Sequence, residues 1–233
     1  YSAVLKDNPI GYWPLDESSG TVVYDYSGCG NNGTYSGFTT FSDTFPLVSG
    51  GKYGTIITNT KSITLPLTKD YMGSTATGSL GDKYSSDNDF SLESWVYIKS
   101  SDASIPILFN SSANIGIYYQ NNAIYFYVNS DYVAYQLETL NESIHIVATY
   151  NKNNINLYIN GKLVNYKILN NFIFTNSSLA NLTIGPCANS TESFIIDAPA
   201  IYRYSLTEQE VKNHFNNYLL RFFKSRYKLR VTY

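Results

Sequence analysis

The sequence predicts an all-β sandwich or barrel, and three observations carry the prediction. Short runs rich in β-branched and aromatic residues recur at turn spacing. Clusters of Asn, Ser, Gly and Asp, the residues that start turns, separate them. Two of these clusters have the chemistry of tight hairpins: Gln120-Asn121-Asn122 joins two aromatic strands, and Asn160-Gly161 supplies two residues that tolerate positive φ. The 233 residues fit one domain, because all-β sandwiches reach ~200–250 residues as a single unit.

Taken in order, strands are expected over residues 10–15, 55–65 in two pieces, 90–98, 105–110, 115–119, 124–128, 133–137, 144–150, 155–159, 163–168, 179–184 and 194–202. A helix follows. Thr207 is its N-cap and Glu210, three residues on, completes a capping box, after which Val211, Phe215, Tyr218, Leu219 and Phe222 recur at helical spacing. Beyond it the period changes to two, with Tyr227, Leu229, Val231 and Tyr233 alternating with Arg226, Lys228, Arg230 and Thr232. The organisation is therefore a sandwich over residues 1–206 and a helix with a basic aromatic tail over 207–233, packed on or extending from the same domain.

Composition narrows the class. With 43% hydrophobic and 15% charged residues the chain can fill a core, and its apolar runs fall short of the ~20 residues a membrane span needs. The net charge of −2 is uneven: residues 211–233 hold six basic residues and no Asp or Glu, which leaves 10 basic against 18 acidic residues, −8, in the remainder. A footprint confined to the tail argues against nucleic acid. Arg226, Tyr227, Lys228 and Arg230 either pair with the chain's own sheet or dock on an acidic partner or neighbouring subunit.

Several stretches repeat a pattern known elsewhere. Tyr12-Trp13-Pro14-Leu15-Asp16-Glu17 leads to Asp25-Tyr26-Ser27-Gly28-Cys29-Gly30-Asn31-Asn32-Gly33, then Asp89-Phe90-Ser91-Leu92-Glu93-Ser94-Trp95-Val96. His145-Ile146-Val147-Ala148-Thr149-Tyr150, Leu157-Tyr158-Ile159-Asn160-Gly161-Lys162, Leu182-Thr183-Ile184-Gly185 and Ile196-Asp197-Ala198-Pro199-Ala200-Ile201-Tyr202 follow. In this order they resemble the laminin-G-like domains of the concanavalin A-like lectin and glucanase superfamily. The resemblance implies a two-sheet antiparallel jelly-roll sandwich with one short C-terminal helix, and core positions for Trp13 and Trp95. It does not choose among lectin, adhesion, enzyme and spacer functions.

Glycoside hydrolysis needs two carboxylates ~5–10 Å apart, and the glucanase branch places them two residues apart in one strand. Asp87 and Asp89 have that spacing but fall in a Ser-rich loop, Glu93 stands alone, and Glu138 and Glu142 flank a turn. His145 and His214 have no Ser, Cys or Asp beside them in triad order. No catalytic residue is assigned and the expectation is a protein without enzymatic activity.

The resemblance also implies a structural calcium where the first strands meet the last, with Glu17, Asp25, Asn31, Asn32 and Asp197 as the matching oxygen donors. Calcium takes about six to eight oxygens; the competing reading is that Asp25 and Asn32 bond their own backbone in turns. Ala198 stands where an acidic residue usually follows the Asp. Cys29 and Cys187 both lie at turns, open to a disulfide in an oxidising setting and to two thiols in a reducing one.

The chain carries 23 Tyr, 12 Phe and 2 Trp. Sugars stack on such rings while amides and carboxylates bond their hydroxyls, so Tyr118, Tyr119, Asn121, Asn122, Tyr125, Tyr127, Asp131 and Tyr132 form the candidate glycan groove. Packing within the core competes for the same rings. The expected function is a non-catalytic adhesion module that binds surface polysaccharide or another cell-surface glycan, within a larger extracellular or virion protein. Asn-, Ile- and Tyr-rich usage points to an AT-rich bacterial or phage genome and to a tail or capsid fibre. The alternative is a structural module of a virion or surface assembly, anchored to other subunits through the basic tail and without a glycan ligand.

Overall fold

The structure, a computed structural model, describes residues 2–38, 54–67, 69–70, 74–75, 89–99, 104–169, 181–188 and 193–217. Helix α1 (Ser2–Lys6) precedes the short strands β1 (Gly11–Tyr12), β2 (Val22–Val23), β3 (Gly33–Ser36), β4 (Thr55–Ile57), β5 (Ser62–Pro66), β6 (Lys69–Asp70) and β7 (Ser74–Thr75). The longer strands follow: β8 (Phe90–Ile98), β9 (Ser104–Asn110), β10 (Ile115–Gln120), β11 (Ala123–Val128), β12 (Asp131–Gln136), β13 (Ser143–Asn151), β14 (Asn154–Ile159), β15 (Lys162–Ile168), β16 (Asn181–Ile184) and β17 (Phe194–Tyr202). Residues 208–217 form helix α2.

Two antiparallel sheets make the jelly-roll sandwich. A seven-stranded sheet has the order β1-β17-β8-β13-β14-β15 with β4 also paired to β17, and an eight-stranded sheet has the order β12-β11-β10-β9-β16-β5-β3-β2. Strand alternation puts Phe90, Leu92, Val96 and Ile98 of β8 in the core between the sheets, with Ile124 and Phe126 of β11 opposing them. Each such side chain contributes ~1.5–3 kcal/mol on full burial. The two expected hairpins form as read, with φ of 50° and 61° at Asn121 and Asn122 and 52° and 76° at Asn160 and Gly161, the mirror-image turns that match strand twist.

Strand β8 is buried on both faces because the ends of the chain cover the outside of its sheet. Val4 of α1 and Leu206 and Val211 at α2 pack on Tyr12, Trp95, Val147, Tyr158 and Tyr202, a second apolar cluster. The capping box starts α2: Thr207 N and Oγ1 both donate to Glu210 Oε2 at 2.7 Å, and Glu210 N donates back to Thr207 Oγ1 at 3.3 Å. Trp13 and Trp95 are core residues as expected.

Three departures lie in the first part of the chain. The expected strand over 10–15 is reduced to β1, because Leu15 turns with φ 58°. Strand β3, whose Tyr35 faces inward, follows the Gly- and Asn-rich stretch of residues 25–32 and is not among the expected strands. Helix α1 was not anticipated at all. Among the described residues no helix is long and apolar enough to cross a membrane.

Candidate functional site

The outer face of the eight-stranded sheet carries an open groove of about 560 Å³. Register builds it. Tyr118 on β10 stands opposite Tyr125 on β11 and Pro106 on β9, and Tyr127 stands opposite Tyr132 on β12. Phe109 and Tyr118 meet edge to face at 5.2 Å, Tyr125 and Tyr127 stack at 5.7 Å, and Tyr127 and Tyr132 lie 5.4 Å apart. The rings thus form one continuous platform across four strands.

Gly116 lies in register between Phe109 and Tyr127. Its φ is +126°, and a Cβ there would sit 2.0 Å from the Leu108 carbonyl oxygen. Only glycine fits, so no side chain separates the two rings, which approach to 6.0 Å. The Tyr118 hydroxyl is held 2.9 Å from Ser104 Oγ. Burial, followed by the neighbouring phenols of Tyr125, Tyr132 and Tyr118, pushes the Tyr127 phenol up and keeps it neutral.

Of the eight residues expected in a glycan groove, Tyr118, Tyr125, Tyr127 and Tyr132 share this face and Tyr132 is 50% exposed. Tyr119 is a correction. Neighbours on a strand point to opposite sides; Tyr118 takes the outer place, and Tyr119 is fully buried between the sheets with its hydroxyl 3.5 Å from Asn122 Oδ1. Asn122 holds the turn, donating from Nδ2 to the Leu137 carbonyl at 2.8 Å, while Asn121 is exposed at the turn tip. Asp131 is engaged at the sandwich edge, accepting from Lys167 Nζ of β15 at 2.7 Å. Sequence reasoning missed Phe109, because the β9–β10 register shifts between Ile117 and Tyr118 and breaks simple alternation.

Of the five residues expected to bind calcium, Glu17, Asp25 and Asn32 have side-chain oxygens used by the chain itself. Asp25 Oδ1 accepts from Tyr12 N at 3.0 Å and Ser27 N at 2.8 Å, and Oδ2 accepts from Ser27 Oγ and Asn31 N, both at 2.8 Å. Asn32 Oδ1 accepts from Asp25 N at 2.9 Å, and Glu17 accepts from Tyr24 N and the Tyr35 hydroxyl. Asn31 donates from Nδ2 to the Ile10 carbonyl at 2.8 Å. Asp197 is buried, and burial together with the Asp16 charge pushes its carboxyl up to about 8. Among the described residues no three His, Cys, Asp or Glu side chains are grouped to hold a metal. Asp25, Asn32 and Glu17 thus spend their side-chain oxygens on bonds within the chain, the competing use for those atoms.

Glu93 does not stand alone. Its Oε1 accepts from His145 Nε2 at 2.8 Å, and its Oε2 accepts from His214 Nδ1 at 2.9 Å and the Tyr202 hydroxyl at 2.8 Å. The other ring nitrogen of His214 donates to Asp7 Oδ2 at 2.7 Å. A ring donating from both nitrogens is the cation. Burial would lower the His214 pKa, but the Glu93 charge and bond, and then Asp7, outweigh it and push it up to about 9. Burial would likewise raise Glu93; the His214 charge and the two histidine bonds hold it well below the usual carboxylate range. Glu93, His145 and His214 are each at most 1% exposed, so this cluster fastens α2 to the sheet and offers no access to substrate.

The other expected acids are placed apart. Asp89 accepts from Lys152 N at 3.2 Å, and Glu138 and Glu142 are exposed. Cys29 and Cys187 are buried, the latter donating to the Ile57 carbonyl at 3.7 Å. Asp87 and the tail residues Arg226, Tyr227, Lys228 and Arg230 lie outside the described residues.

Residues 72–212 match the family model of the concanavalin A-like lectin/glucanases superfamily. No curated protein matches the chain. Among solved structures, the binding domain of botulinum neurotoxin serotype D/C VPI 5993 superposes with a TM-score of 0.69 at 15% identity, covering 91% of this chain and 53% of that one. The serotype G binding domain gives 0.67 at 18% identity over 89% and 50%. The serotype D ligand binding domain, solved in complex with N-acetylneuraminic acid, gives 0.66 at 13% identity over 93% and 52%. The chain spans about half the length of these domains, and at such identities the likeness is one of fold.

Proposed function

The chain belongs to the concanavalin A-like lectin/glucanase superfamily, and from that premise we propose that it is a non-catalytic carbohydrate-binding module. The observation that carries the reading is the tyrosine and phenylalanine platform on the eight-stranded sheet, flanked by Asn114, Gln120 and Thr183. Flat apolar rings receive the C–H faces of a pyranose, and amides and hydroxyls both donate to and accept from its hydroxyls. The groove's volume is that of a small-ligand site. Similarity to a domain solved with N-acetylneuraminic acid is compatible with a glycan ligand.

We place the module within a larger extracellular or virion protein, a setting supported by composition alone. The test is a glycan array probed with the purified chain and with Tyr127→Ala and Tyr132→Ala. Binding by the parent chain that both variants lose, with their circular dichroism unchanged, supports the reading. Binding that neither variant weakens would move the site elsewhere, and a folded chain that binds no glycan would refute it.

A further inference from the structure

Taking the carbohydrate reading as its basis, we propose that this groove selects uncharged glycans and discriminates against sialylated ones. Its described polar lining is Ser62, Ser111, Asn114, Gln120 and Thr183, amides and hydroxyls throughout, and no described residue of the lining carries a charge. The cation adjoining the lining in sequence, Lys61, is not part of it and sits over the Phe38 ring, its Nζ 5.0 Å from the ring centre. Beyond β12, Lys167 is engaged by Asp131. A carboxylate laid over the rings would give up water without gaining an ionic partner, which is costly.

The charge balance of the chain and the extent of the platform point the same way. The chain as a whole carries a net charge of −2, so no net positive charge draws in an anionic polymer. The platform spans four strands, or ~14 Å at ~4.8 Å per strand, so it extends beyond one sugar ring. A neutral polysaccharide chain satisfies all of these: stacking on several rings, hydroxyls for the amides and no charge to desolvate.

The experiment is calorimetric titration of the whole chain with neutral hexasaccharides of glucose, mannose, galactose and N-acetylglucosamine, each also prepared with a terminal sialic acid. At least one neutral chain is expected to bind, its capped form about tenfold more weakly, with little change of the neutral affinity in high salt. Capped chains that bind as well or better would overturn the selectivity while leaving the carbohydrate reading in place. A folded chain that binds neither form overturns that reading itself. Gln120→Arg puts a cation at an exposed edge of the groove and is expected to recover capped binding. Failure to do so would show that charge is not what discriminates.

Discussion

Removing the Tyr127 ring opens the platform over Gly116, where Phe109 and Tyr127 approach each other. Tyr127→Ala is therefore expected to weaken glycan binding by ~2 kcal/mol or more, the scale of a buried aromatic anchor, with little loss of thermal stability. Tyr119→Ala should do the reverse. Its ring is fully buried among core side chains, so truncation costs ~3–5 kcal/mol, and denaturant unfolding would show a lower midpoint. Equal effects from the two substitutions would contradict the assignment of faces. The sequence places Tyr118 and Tyr119 on one strand but leaves the choice of face open, because Ile117-Tyr118-Tyr119 is apolar on both sides. The burial of Tyr119 in the core, with Tyr118 left on the face it shares with Pro106 and Tyr125, decides it.

At the scale of elements, α2 is tied by ions to β8 and to Asp7, the residue after α1. His214 is raised to about 9 from an ordinary 6.5, so its contribution is complete below pH 6.5 and is lost as the pH climbs through about 9. Glu93 is depressed from 4.5, so its contribution is complete above pH 4.5 and declines as the pH falls toward its folded value. Both act together between pH 4.5 and 6.5. Melting temperature measured against pH should fall from pH 6.5 to 9, and His214→Ala should remove that part of the slope. The substitution is itself expected to cost ~3–5 kcal/mol, since it strands Glu93 as a buried charge. The helix was legible beforehand because its capping box lies within four residues. The ion cluster was not: its bonds join positions 52, 121 and 207 residues apart.

For the molecule as a whole, the strand pattern was largely legible, β8 and β17 to the residue, because apolar alternation is set by the sandwich core. Ligand chemistry was less so. Asp25 and Asn32 attract calcium or close a turn with the same atoms, and the sequence leaves the choice open, whereas the four bonds to the Asp25 carboxylate favour the turn. Chelator or added calcium is accordingly expected to leave both the melting temperature and glycan binding unchanged; a rise in melting temperature with calcium would disprove the turn assignment. Helices α1 and α2 cover the outside of the seven-stranded sheet, whereas the aromatic groove opens on the outside of the eight-stranded one. A linker or support attached through either helix would hold the sandwich from behind. The groove would then face away from the point of attachment.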